Sequence, residues 1–135
     1  MIILTTVVML LCGCSQTKKT TDTDRPFEIR FGRTGGFTNV KVEFVLRENR
    51  EVFRIQNDEA IKINRIRVKE MKEIRRMIDS VGFKNLSLEE PGNVSYFIKV
   101  QDPEYENAVQ WTNTMEESPL NKLYHLLLST SIKRS

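Results

Sequence analysis

The sequence predicts an α+β domain: a single antiparallel sheet of about five or six strands, with two amphipathic helices packed on one face. Three observations predict it. Short runs alternate apolar and polar residues and are separated by turn residues, as hairpin strands are. Two later stretches, one from Lys69 and one from Pro119, carry apolar residues at helical spacing. The resulting order is three or four strands, a helix, two strands and a helix, which suits one sheet covered on one side. A chain of 135 residues can bury one such core without staples.

Phe27, Ile29 and Phe31 alternate with Glu28 and Arg30 and predict a half-buried strand. Gly32-Arg33-Thr34-Gly35-Gly36 then reads as a turn. Val40, Val42, Phe44 and Leu46 give the clearest alternation in the chain. Glu48-Asn49-Arg50 is a turn, 52–55 returns as the hairpin partner, and Asn57-Asp58-Glu59 is a further turn. Residues 61–68 are ambiguous, because Ile61 and Ile63 are out of step with Ile66 and Val68. They suit either a strand of slipped register or the opening of a helix. Met71, Ile74, Ile78 and Val81 then share one helical face, and Gly82 ends it. Pro91-Gly92 turns into a strand with Val94, Tyr96, Ile98 and Val100, and residues 105–112 form its partner. Ser118-Pro119 is an N-cap followed by proline at the first helical position. Leu120, Leu123, Tyr124, Leu127 and Leu128 are the buried stripe of the closing helix.

Ahead of this domain lies an apolar run ending in Leu11-Cys12-Gly13-Cys14. The run matches the roughly 7–15 apolar residues of a secretory signal and falls short of the about 20 that a membrane-spanning helix needs. The tetrad resembles the lipobox of bacterial lipoproteins. That resemblance implies cleavage between Gly13 and Cys14 and a diacylglycerol on the Cys14 thiol. It makes 1–13 the signal peptide, 14–25 a lipidated cysteine with a flexible tether, and 26–135 the folded domain. Residues 15–25 contain no apolar side chain and cannot bury surface. Their Lys18 and Lys19 suit either plain solvation or contact with anionic headgroups. No basic residue precedes the apolar run, so the expected start lies upstream of Met1 or is misassigned. A metal or redox reading of Cys12 and Cys14 lacks partners, since the chain has one histidine and no other cysteine, and metal sites take about four ligands.

Within the domain, Gly35-Gly36-Phe37-Thr38, Pro91-Gly92-Asn93-Val94-Ser95-Tyr96-Phe97, Trp111 at a strand end, and Leu123-Tyr124 on a Pro-Leu helix together resemble small lipoproteins of Bacteroidota. The resemblance spans nearly all of 26–135. It implies an envelope location and adds no catalytic residue. Surface-directed lipoproteins of that phylum carry acidic residues after the cysteine, whereas Ser15-Gln16-Thr17-Lys18-Lys19 stands here. The implied position is the outer membrane, facing the periplasm. Asp79-Ser80-Val81 resembles the short O-glycosylation pattern of the same phylum.

Twenty-one basic against 18 acidic residues leave +3, too weak a bias for nucleic-acid binding. The arginines form the candidate binding surface: Arg30, Arg47, Arg54, Arg65 and Arg67 fall on polar sides of strands or beside them. Aligned on one face they would hold an acidic partner, a lipid headgroup or a polysaccharide in forked hydrogen bonds. Interleaved Glu28, Glu43 and Glu51 offer cross-strand neutralisation instead. The glycine run lacks the Gly-Lys-Ser/Thr of a phosphate loop. His125 is the single histidine, and Glu89-Glu90 and Glu116-Glu117 are acidic loop pairs. No assembled catalytic set, cofactor motif or metal motif is present. The expected function is therefore a membrane-anchored, non-enzymatic module that binds another envelope protein or a cell-wall component. The alternatives are a small hydrolase or transferase using His125 or the loop carboxylates, and a protease-inhibitor-like module wedging Gly32–Gly36 and the Pro91-Gly92 turn into a cleft.

Overall fold

The structure, a computed structural model, describes residues 25–36, 40–90 and 92–132. The expected signal segment, Cys14 and the tether up to residue 24 lie outside the described residues, as does Pro91. The chain runs β1 (Glu28–Gly35), β2 (Val42–Arg47), β3 (Glu51–Gln56), β4 (Glu59–Arg65), α1 (Val68–Val81), a single 3-10 turn (Phe83–Asn85), β5 (Val94–Gln101), β6 (Glu106–Trp111) and α2 (Pro119–Thr130). The six strands form one open sheet in the order β4-β3-β2-β1-β5-β6, and every neighbouring pair is antiparallel. The predicted α+β class holds, with four strands before α1.

One core fills the space between the sheet and both helices. Ile29 and Phe31 of β1, Leu46, Val52, Ile98, Val100, Val109 and Trp111 meet Met71, Ile74 and Ile78 of α1 and Leu120, Leu123, Tyr124 and Leu127 of α2. Phe83, on the 3-10 turn, is fully buried and plugs the end of this layer. Tyr124 stands edge-on to Trp111 with ring centroids 5.3 Å apart and gives its hydroxyl to the carbonyl of Gly32 at 3.3 Å. Burial pushes the Tyr124 hydroxyl pKa up to about 12. The helix ends follow the sequence signals. Ser118 Oγ accepts from the amide of Asn121 at 3.2 Å, with Pro119 in the first turn. Gly82 closes α1 in the left-handed conformation, φ 70°.

Two segments depart from the sequence reading. Most of the glycine run is strand: Gly32 and Arg33 continue β1 between β2 and β5, Thr34 and Gly35 continue it beside β5 alone, and only Gly36 is in a turn. A Cβ on Gly32 would sit 1.9 Å from the carbonyl oxygen of Val42, and one on Gly35 would sit 2.0 Å from that of Asn93. The glycines are there because the flanking backbones crowd β1. One of the two wedges expected of an inhibitor is thus mostly strand.

The ambiguous stretch resolves as β4 followed by α1. Lys62 pairs with Phe53 and Asn64 with Val52, so Ile63 is the extra residue of a bulge. That extra residue produced the slipped alternation. The β3–β4 turn is tight, with Asn57 and Asp58 at φ 52° and 62°, as a two-residue hairpin requires.

Candidate functional site

The register fixes what the uncovered face of the sheet presents. One row crosses all six strands as Gln110, Phe97, Gly32, Glu43, Ile55 and Ala60. The next row is Ala108, Lys99, Arg30, Val45, Phe53 and Lys62. Phe97 and Glu43 stand on either side of Gly32, which has no side chain between them. Both line a groove of about 600 Å³ whose walls include Arg30, Lys41, Lys99 and the Leu88-Glu89 segment.

The charges around the groove are held in place. Glu43, 9% exposed, takes Arg30 Nη1 on one carboxylate oxygen at 3.2 Å and Lys41 Nζ on the other at 3.0 Å. Arg30 Nε also donates to Glu28 at 2.8 Å. Burial works against the Arg30 charge, but the bonds from Glu28 and Glu43 outweigh it and raise its pKa above the ordinary value. Lys41 Nζ lies 5.6 Å from the Phe97 ring centroid, and Lys99 is held by Glu106 at 2.8 Å. The groove is therefore an ordered set of cations around Glu43, with a second carboxylate, Glu89, in its wall and Phe97 as an aromatic floor. It offers recognition groups, with no nucleophile–base pair among the residues that line it.

The five arginines do not form one surface. Arg30, Arg47 and Arg65 belong to the uncovered face. Arg54 pairs with Phe44 and Ile61 and so points to the opposite side, where it is exposed. Arg67 is the exposed N-cap residue of α1. Arg30 is neutralised as the interleaved glutamates foretold, and Glu51 likewise holds Lys62 at 3.5 Å. Arg47 lies 4.2 Å over the ring of Phe53, shielding the small apolar patch that Phe53 and Val45 make on this face.

The rival catalytic residues are kept apart. His125 is exposed, its Nε2 3.1 Å from the carbonyl of Thr114, in a cleft on the helix side. Glu89 lines the groove on the other side of the sheet. Glu90 holds the Thr112 hydroxyl at 3.3 Å, Glu117 pairs with Lys122, and Glu116 is exposed. Among the described residues no three of His, Cys, Asp and Glu gather as a metal site would need, and no helix is long and apolar enough to cross a membrane. Asp79 and Ser80 are exposed in the last turn of α1.

Sequence reading missed Phe97 and Lys41 as groove residues, and gave Glu43 only as a neutralising partner of the arginines. A signal for the first was present: Phe97 is an apolar residue on the polar phase of Tyr96, Ile98 and Val100. No family model matches the chain, and no curated protein matches it by sequence.

Proposed function

We propose that this protein is a lipoprotein of the bacterial cell envelope, held at the periplasmic side of the outer membrane by a lipid on Cys14, whose domain is a non-enzymatic binding module. The Phe97 groove is its ligand site, and the ligand is a group on another envelope protein or a cell-wall component. The observation that carries the binding reading is the groove that sets Phe97 beside Arg30, Lys41 and Lys99, cations already held in place by Glu43 and Glu106. Pre-ordered charges lose little freedom when a ligand arrives. Leu11-Cys12-Gly13-Cys14 supports the anchor.

The anchor is tested by the intact mass of protein extracted from membranes, beside a Cys14→Ala variant. Loss of residues 1–13 with acyl chains added, both abolished in the variant, is the expected result. The groove is tested by placing a photoreactive residue at Gln110 in intact cells. A reproducible adduct that disappears with Phe97→Ala is expected; adducts no different from those of a tether alone would overturn the binding reading.

A further inference from the structure

The chain joins the domain at one end of the sheet. Arg25 is fixed there to Glu106 at 3.0 Å, and Gln101 donates to the carbonyl of Pro26 at 3.2 Å. The β2–β3 turn and the end of β4 lie at that same end, since Glu28 is in register with Arg47 and Glu51 with Arg65. Arg50, in the turn, ties the two together by donating to the carbonyl of Ile66 at 3.2 Å. Helix α1 begins beside them, and one of its flanks faces this end: Arg75 lies 3.8 Å over the ring of Phe27. Positions 68, 72, 76 and 79 follow that flank at helical spacing. They add Lys72 and Arg76, with Lys69 next to them and Val68 half exposed among them.

Arg47, Arg50, Arg65, Arg67, Lys69, Lys72 and Arg76 therefore gather toward one corner, while Arg75 and Asp79, farther along the helix, line a small cavity with Asp102 and Tyr105. The acids at the basic corner are few. Glu51 is engaged by Lys62 and Glu70 by Arg67, which leaves Glu48 and Glu73. The other corner, the β5–β6 connection, carries Asp102, Glu104 and Glu106, with Arg25 and Lys99 paired to Glu106 and Arg75 near Asp102. The end that receives the tether is thus far more basic at one corner than at the other.

We propose that the basic corner docks on anionic phospholipid headgroups, turning the tethered domain so that the Phe97 groove faces away from the lipid. The inference rests on the Cys14 anchor only for its geometry. Eleven residues, 15–25, separate Cys14 from the domain, and a chain of that length reaches at most about 40 Å, so a lipid on Cys14 keeps the basic corner within a few screening lengths of the bilayer, each about 8–10 Å. A cation near an anionic surface raises partitioning about fivefold. Several together make docking effective once the anchor has confined the domain.

The test uses the chain from 15 to 135 without lipid. It keeps every core residue, since all lie between Phe27 and Leu127, and it contains no cysteine. It is mixed with phosphatidylcholine vesicles with and without phosphatidylglycerol. Binding to the anionic vesicles alone, falling steeply with salt, is expected. Replacing Arg65, Lys69, Lys72 and Arg76 by glutamine should weaken it about 100-fold or more. Replacing Arg33, Arg54, Lys84 and Lys122 instead, an equal change in net charge away from that corner, should cost less than about tenfold. An environment-sensitive dye on Val68→Cys should report lipid, and one on Met115→Cys, at the opposite end of β6, should not. No preference for anionic vesicles, equal losses in the two variants, or equal dye responses would overturn the proposal. Because the assay has no lipid anchor, it can succeed even if the intact mass shows an unmodified Cys14, so the two readings fail separately.

Discussion

At its β6 margin the sheet is closed by its own chain, while at its β4 margin it is left to water. Leu88 and Glu90 run beside β6 and exchange backbone hydrogen bonds with Gln110, both at 3.0 Å. Asn107 reaches from β6 to the carbonyls of Phe83 and Leu86 at 2.8 and 2.7 Å. Asn121, 4% exposed, takes the Trp111 indole N–H and donates to the carbonyls of Asn113 and Glu116. On β4, residues 59–62 are all exposed. One side-chain bond, from Asn64 to the carbonyl of Thr130 at 2.8 Å, ties the strand to α2. Its protection against pairing with other chains is of another kind: Glu59, Lys62 and Arg65 place charge along it, and the bulge at Ile63 breaks its line. A sheet edge can be satisfied by closing it or made unattractive by charging it, and this domain does one at each side.

Matched truncations give the largest contrast. Phe83→Ala removes a fully buried ring beneath the β6 side and should cost about 3–5 kcal/mol. Ile61→Ala on β4, 44% exposed, should stay within about 0.5 kcal/mol. Urea unfolding followed through the buried Trp111 measures both. Similar losses at the two positions would mean that β4 packs against something beyond the described residues.

The same contrast recurs in the polar ties, at smaller size. Asn107→Ala strips two backbone carbonyls of their donor and should cost about 2 kcal/mol. Asn64→Ala removes one such bond and should cost about 1 kcal/mol. Hydrogen exchange sharpens the comparison: the amides of β1 and β5 should open only with global unfolding, and those of β4 far more readily. Uniform protection across all six strands would erase the proposed difference between the margins.

How legible each region was in the sequence follows from the same physics. The β6 half was readable because both β5 and α2 are periodic, and because Ser118-Pro119 and Gly82 act locally as caps. The β4 half was not, since a bulge shifts the phase at Ile63 and no periodicity argument anticipates an inserted residue. Gly32 misled for another reason. Glycine marks turns and crowded strand interiors alike, and only the position of the Val42 carbonyl decides between them. The groove was half legible. Arg30 and its glutamate neighbours were foreseen, but the meeting of Phe97 with them in one groove depends on which residues the register sets side by side. Arg54 was expected with the other arginines, and its pairing with Phe44 puts it on the far side.

The smallest expected effect concerns Glu106, at the end of β6 where the tether begins. Its carboxylate takes Lys99 at 2.8 Å and Arg25 at 3.0 Å. The hydrogen bond from Lys99 is the chief reason its pKa lies below the ordinary glutamate value, with the charges of Lys99 and Arg25 adding to it. A depressed folded-state pKa contributes stability that is complete above the unfolded value and is lost as pH falls through the folded one. The acid limb of the stability curve should therefore flatten in Glu106→Gln, by an amount kept small because the carboxylate is exposed. Direct titration of the side chain by NMR should show the depressed value returning toward the ordinary one in Lys99→Gln, and less so in Arg25→Gln. If Arg25→Gln had the larger effect, Glu106 would serve chiefly to fix the start of the domain, and the closed margin of the sheet would extend to the point where the chain enters it.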